Sequence, residues 1–415
     1  MLARLSHPLA AVWLLGLTQI IGYGTLYYCF PILATDIARE FGWDVSSVYG
    51  AFSAALLVGG ALAPLIGRQI DRFGALPLMT WGSVASAFAL LLVASSTPAL
   101  FFPAFAVLEI SASLVLYDAA FAALAQRTGR QAQTRIAQMT LIAGFASSIS
   151  WPVTQWLHDI LSWREVLTVF ALLNLGACVP LHLALLRAGV LADSEADAES
   201  LIPIQPEAPR HLARPLLVLV SLGFAFSGVV VSGMLTMMVP TLSALGLGSL
   251  AVPIAALFGP AQVLSRLVNM GVGKRMHPLT GSLISAGLLG GAPLLLAGLG
   301  PLPAVAAIFA VMFGLGSGVN SIVRGTLPLV LFGAEIYGSV LGKMALARLL
   351  LNAGAPFAFA WMLEHLSATA ALTATGLAGT GAIACFLIMR HFLKMAQGSS
   401  ASSESTMPSS SASSD

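Results

Sequence analysis

Charge is what this sequence lacks most. Only 9% of its 415 residues are Asp, Glu, Lys or Arg, against about 25% in soluble globular chains. A water-facing exterior cannot be assembled from so few ionised groups. Hydrophobic residues make up 58% of the chain, so lipid must be the solvent for most of it. The net charge of +2 leaves no basic field for nucleic acid and no acidic field for cations. Cysteine is equally scarce: Cys29, Cys178 and Cys385 stand singly in three distant apolar segments, with no Cys-x-x-Cys or Cys/His spacing to hold a metal. Neither a metal nor a cofactor is expected. His-Glu-x-x-His, Gly-x-Ser-x-Gly with partner residues, and paired aspartates on facing helices are also missing, which argues against an enzyme working inside the membrane.

What is present is a succession of apolar runs. They are continuous rather than alternating, which excludes a β-barrel. A hydrocarbon core about 30 Å thick needs some 20 residues of helix, and on that basis spans fall near 9–34, 47–67, 75–95, 99–126, 136–157, 165–187, 215–243, 250–272, 279–299, 302–331, 337–363 and 368–389. The expected fold is an all-α membrane protein of twelve transmembrane helices. The first run follows Arg4 and passes Pro31 without a polar break, too long for a cleaved signal peptide, so it reads as the first span. Pro31, Pro64, Pro152, Pro240 and Pro356 lie inside spans, where neighbouring helices re-satisfy the freed backbone.

Between the sixth and seventh spans, residues 188–213 carry Asp193, Glu195, Asp197 and Glu199 and then Pro203, Pro206 and Pro209, a polar, helix-breaking linker. The tail 398–415 is mostly serine and is expected to be disordered. Two six-helix bundles, 1–187 and 214–397, therefore flank the linker. With the N-terminus cytoplasmic, that side receives Arg4, Arg68, Arg72, Arg127, Arg130, Arg135, Arg187, Arg210, Arg214, Lys274, Arg275, Arg390 and Lys394, and the other side only Arg39 and Arg164. The excess of basic residues puts both termini and the linker in the cytoplasm of an inner-membrane protein. Gly24 and Pro31 are echoed by Gly233 and Pro240, Gly67 by Gly271, and Pro152 by Pro356. These echoes support a duplicated six-plus-six architecture with a binding site between the halves.

After the second span stands Gly67-Arg68-Gln69-Ile70-Asp71-Arg72-Phe73-Gly74. It resembles the major facilitator superfamily motif G-x-x-x-D-R-x-G-R-R/K, with Ala75 and Leu76 in the usual basic positions. The second-half counterpart keeps Gly271, Lys274 and Arg275. Phe41-Gly42-Trp43, followed by Gly60, Pro64, Gly67, Asp71 and Arg72, is similar to the monocarboxylate and oxalate/formate transporter branch. The resemblance implies that Gly67, Asp71, Arg72 and Gly74 form a gate, with Asp71 and Arg72 latching the cytoplasmic side in the outward-facing state. It also implies that helices one, four, seven and ten line the pore. An Asp-Arg pair on a glycine-bounded loop can make charge-assisted bonds present in one state only.

Ionisable groups at mid-bilayer are costly and mark functional sites. From the 1.5 Å rise per helical residue, Asp118, Arg266, Arg324 and Arg348 lie on the order of 12–20 Å from the cytoplasmic boundary and are candidates for one cavity. Ser317, Asn320, Ser321 and Arg324 recur at helical spacing, so one face of the tenth span is polar. Gln19, Tyr23 and Tyr27 share a face of the first span, and Ser232 and Thr236 occupy corresponding places on the seventh. Asp118 with Arg324 reads either as a coupling pair, with Asp118 taking the proton, or as a structural ion pair. Arg266 and Arg348 either touch substrate or satisfy backbone carbonyls. Lys343 reads as structural. Glu109, nine residues before Asp118, is expected to face the opposite way, near the outer surface. His158, His182, His365 and His391 are expected at membrane interfaces.

The mid-membrane excess of positive charge favours an anion. The expected function is secondary active transport of a small, monocarboxylate-like organic anion by alternating access, coupled to protons or run as an exchange, by a monomer in the bilayer. The alternatives are efflux of a toxic drug or metalloid by the same fold, and a non-transporting membrane sensor.

Overall fold

The structure is a computed structural model that describes residues 8–188, 206–272, 276–352 and 354–404; the side chains at positions 8, 45, 46, 130, 147, 236, 272, 356 and 397–404 fall outside that description. Arg4, most of the linker (189–205), Lys274, Arg275 and the end of the tail (405–415) lie outside the described residues.

Among the described residues every regular element is a helix, and 12 segments are long and apolar enough to cross a membrane. They are α1 (Leu9–Phe41), α2 (Ser47–Phe73), α3 (Ala75–Ala94), α4 (Pro98–Thr128), α5 (Ala132–His158) and α6 (Trp163–Ala188). Then follow α7 (Ala213–Leu242), α8 in two pieces (Ala251–Ala256 and Phe258–Val272), α9 (Pro278–Leu299), α10 (Pro303–Phe332), α11 (Tyr337–His365) and α12 (Ala368–Ala396). The turn from α7 into α8 uses Gly246 (φ 87°) and Gly248 (φ 48°), a backbone region that side chains with a Cβ disfavour.

Four hydrophobic clusters hold these helices. One, around Phe30, Phe101, Phe105 and Trp163, joins α1, α4 and α6. A second is built on the run Ala119–Ala125 of α4, which packs against Met79 of α3 and Met139 of α5. Small side chains let backbones approach where lipid offers no hydrophobic drive for association. Two further clusters lie within α7–α12. The second cluster also takes in Leu329, Tyr337 and Leu341 from α10 and α11, so it bridges the halves. His182 is buried among the helices, 1% exposed, with Ser83 Oγ at 2.9 Å and Thr18 Oγ1 at 3.0 Å from its ring nitrogens.

The halves meet mainly on one side. The face bearing Arg68, Arg72, Arg127, Arg187 and Arg210, called here the basic face, is where α2 packs on α11 and the start of α5 packs on α8 and α10. The pieces leading to the opposite face, Phe30–Phe41, Pro98–Ser113 and Ala146–His158, make no substantial contact with Ala251–Ala256 or Ala355–His365. The molecule is thus a cleft closed at the basic face and open at the other.

Glycine sets the closure of the seam. A Cβ on Gly67 of α2 would be driven into the carbonyl of Gly338 on α11, and one on Gly342 into that of Ala63. A Cβ on Gly338 would stand 2.6 Å from the Gly67 oxygen and 2.7 Å from Asp71 Oδ1. Gly67→Val therefore separates α2 from α11. A thiol introduced at Ile70, which is 3% exposed, becomes reactive toward a water-soluble alkylating agent in the Gly67→Val background and stays protected in its absence; equal labelling of both proteins would refute the seam.

Candidate functional site

A cavity of about 210 Å³ lies at the bottom of the cleft. Tyr23 and Tyr27 of α1, Gly59, Gly60 and Gly67 of α2, Glu109, Tyr117 and Asp118 of α4, Arg324 of α10, and Gly338 and Arg348 of α11 are among its walls. Its centre is electrostatic. Asp118 Oδ1 lies 3.8 Å from Arg324 Nη2, and Asp118 Oδ2 lies 3.8 Å from Arg348 Nη2. These are ion pairs too long to be direct hydrogen bonds. The side chains of Asp118, Arg324 and Arg348 keep 28%, 20% and 28% of their surface, so water reaches the group from the cleft.

Local irregularities aim these residues. In α1 the helix widens into a π turn over Gly24–Tyr28, closed by Cys29 N–H donating to the Gly24 carbonyl at 3.1 Å. Such bulges are frequent at functional sites; this one places Tyr23, Tyr27 and Tyr28 in a single aromatic group. Tyr23 packs on Tyr117 of α4 with centroids 4.7 Å apart. In α4 the helix stops at Ser113 and restarts at Tyr117. The break leaves the Val115 carbonyl without a helical partner, and Gln19 Nε2 of α1 donates to it at 2.8 Å. Tyr337 Oη donates to the Gly325 carbonyl beside Arg324, and the Phe121 ring of α4 fills the space over Gly325.

The structure brings Asp118, Arg324 and Arg348 together with Tyr23, Tyr27 and the gate-motif residue Gly67. Arg266 does not join them. It is 5% exposed, its Nε donates to Ser321 Oγ at 3.2 Å, and its guanidinium fills the space a side chain at Gly144 of α5 would take. Depth along the helix puts it level with the others, but its azimuth turns it to the α5–α8 contact. Gln19 is 0% exposed and serves the α4 break instead of the cavity. Asn320 and Ser232 do not line this cavity, and the side chain of Thr236 lies outside the described residues. The walls come from α1, α2, α4, α10 and α11, with nothing from α7.

Glu109 and Tyr117 are cavity residues that sequence reasoning missed. Nine residues of unbroken helix would turn Glu109 away from Asp118, but the break at Leu114–Leu116 re-phases α4 and both carboxyls face the same space. Near the basic face, Asp71 accepts hydrogen bonds from the backbone N–H groups of Gly338 and Ser339, both at 2.7 Å. Arg72 lies over the Phe73 ring at 5.0 Å. Gly74 takes φ 86° and starts α3, whose Ala75 N–H donates to Gln126 Oε1 at 2.8 Å. Among the described residues no cluster of potential metal ligands occurs.

Among the described residues, twelve membrane-competent helices surround a charged central cavity, the architecture of a polytopic membrane protein. The sequence matches the Major Facilitator Superfamily over residues 15–356, and the chain belongs to that family, whose transporters bind small molecules, often with proton coupling. Among curated proteins none matches it. Solved structures share the fold. The human organic anion transporter MFSD10 (TETRAN) has a TM-score of 0.64 at 19% identity, covering 91% of this chain and 98% of that one. FucP in the outward conformation gives 0.68 at 11% identity, with 91% and 98% covered. The proton:xylose symporter XylE gives 0.67 at 14% identity, with 93% and 97% covered.

Asp118→Asn leaves two guanidinium groups facing each other across a partly wetted gap. The substitution costs about 1–3 kcal/mol of stability, between the values for exposed and buried pairs, seen as a lower melting temperature in detergent, and acetate or formate restores part of the loss by supplying the missing counter-charge. A variant that melts like the parent, or ignores added anions, would show that Asp118 does not balance the two arginines.

Proposed function

We propose that this chain is a secondary active transporter that carries a small, monocarboxylate-like organic anion across the inner membrane by alternating access, with proton coupling or as an exchange. The observation that carries the reading is the long ion pairing of Asp118 with both Arg324 and Arg348 inside one cavity. Two guanidinium groups stand against one carboxylate there, and no direct hydrogen bond locks them. A carboxylate entering from the open cleft can take bidentate bonds from a guanidinium and replace Asp118 as counter-charge. Tyr23, Tyr27 and Tyr117 supply apolar faces with polar tips to hold its carbon skeleton. The cavity volume of about 210 Å³ suits a solute of monocarboxylate size. MFSD10, described as an organic anion transporter, is a structural neighbour, and the residues around Phe41–Arg72 keep their similarity to the monocarboxylate and oxalate/formate branch.

The two bundles, 1–187 and 214–397, are the bodies that rock, joined by the linker 188–213; the last helix runs on to Glu404, into the segment 398–415 that the sequence marks as a tail. The basic face is the cytoplasmic side and holds both termini. Asp71, seated on the first N–H groups of α11 where the helix dipole favours an anion, latches that side with Gly67, Arg72 and Gly74 around it. The chain works as a monomer. A thermal-shift series of small carboxylates on purified protein and on Arg324→Ala tests the reading. Saturation at about 100-fold over Kd stabilises by about 2.7 kcal/mol, so the parent gains a clear upward shift that Arg324→Ala loses. No response to any carboxylate, or the same response in both proteins, sinks the proposal.

A further inference from the structure

Glu109 takes no part in the ion pairs, yet it faces the same cavity. The residue is 6% exposed and its Oε1 is buried with no hydrogen-bond partner. The α2 backbone closes in from behind: a Cβ on Gly59 would stand 3.1 Å from the Glu109 carbonyl oxygen. The titratable groups facing it from α1 are Tyr27, which shares the cavity wall, and Cys29. From α3, Ser86 is engaged with Ser111. Arg348 also lines the cavity, and it is paired with Asp118. Among the described residues no cation pairs with Glu109.

A carboxyl so placed has neither a counter-ion nor a donor, and a bare carboxylate in such surroundings is costly. A proton is the counter-charge that needs no extra room. Protonating Asp118 would release two arginines at once, whereas protonating Glu109 breaks no ion pair. We propose that Glu109, and not Asp118, is the proton-carrying group of this transporter. The inference rests on the transport reading above and adds to it a division of labour. Asp118 holds the arginines until the substrate replaces it, and Glu109 binds a proton from the open cleft and releases it on the basic side after the halves rock. One proton moving with one monoanion carries no net charge, so the coupled step is electroneutral.

Infrared difference spectroscopy on the purified protein, taken through an acid titration without substrate, tests the assignment. As the parent is acidified, a carbonyl band grows in at the high-frequency edge of the carboxylic-acid region, where a buried acid without hydrogen-bond partners absorbs apart from the solvated Asp and Glu residues that also titrate. It is lost in Glu109→Gln and retained in Asp118→Asn. A band that survives Glu109→Gln, a band that disappears in Asp118→Asn alone, or no titrating band in the parent overturns the proposal. Where Glu109→Gln fails to fold, Glu109→Asp must shift the band, and an unshifted band is equally fatal. In proteoliposomes, acid-driven accumulation of lactate falls about tenfold or more in Glu109→Gln while lactate counterflow stays within about threefold of the parent. Loss of both, or of neither, counts against Glu109. Lactate not carried by the parent counts against the anion reading and leaves the infrared result to decide this one.

Discussion

The structure depends on one constraint: lipid cannot solvate an ion, so Asp118, Arg324 and Arg348 must be solvated by one another and by the water that enters from the cleft. At 3.8 Å and an effective dielectric of about 20, each attraction is worth about 4 kcal/mol. Taking each ion out of water costs several kcal/mol. Repulsion between the two guanidinium groups and partial desolvation offset much of that attraction, and a modest net hold is what the site requires. A tighter, drier pair would weld the halves together. A looser one would leave charges exposed to acyl chains, which the packing of Phe121, Tyr117 and Tyr23 prevents.

How much of this the sequence disclosed follows from which physical signal each residue carries. Span number and the common depth of Asp118, Arg324 and Arg348 were legible, because hydropathy and rise per residue fix depth in a bilayer almost independently of packing. Azimuth was not. Arg266 has the right depth and the wrong bearing, and only the emptiness over Gly144 draws it into the α5–α8 contact. Gln19 shares a helical face with Tyr23, yet the Val115 carbonyl claims it. Glu109 was misjudged for the converse reason: counting residues assumes a continuous helix, and α4 is not continuous. Three consecutive apolar residues, Leu114 to Leu116, carry no proline or glycine to announce the break. Its nearest trace is Gly82 on α3, which admits Leu114 and Val115 at close range.

The seam between α2 and α11 obeys a different requirement, to be close-fitting and still dissolvable. Glycine backbones meeting at Gly67, Gly338 and Gly342 give contact largely through dispersion, with Leu349 seated over Gly60 and Ile70 against Gly338 as the side chains that key into it. Asp71 adds direction through two hydrogen bonds to the start of α11. The separation of roles is physical. Dispersion along the seam falls away gradually as the helices part, whereas the carboxylate bonds are lost over a short displacement, so the latch gives the closed state a defined edge.

The α4 break ties these parts into one device. Gln19 binds α1 to the break, and Tyr117 on its far side packs on Tyr23, so α1 is tied to α4, the helix that carries both Glu109 and Asp118. Arg324 and Arg348 lie on α10 and α11, in the other half. Any rocking that closes the open face must change the distance between Asp118 and its two arginines, so in the empty protein the ion pairs oppose the motion. On the anion reading proposed above, a substrate that neutralises the arginines from within the cavity removes that opposition. Movement is then conditional on a charge being present in the site, and a leak of empty transporters is suppressed by the same Coulomb attraction that stabilises the resting cleft.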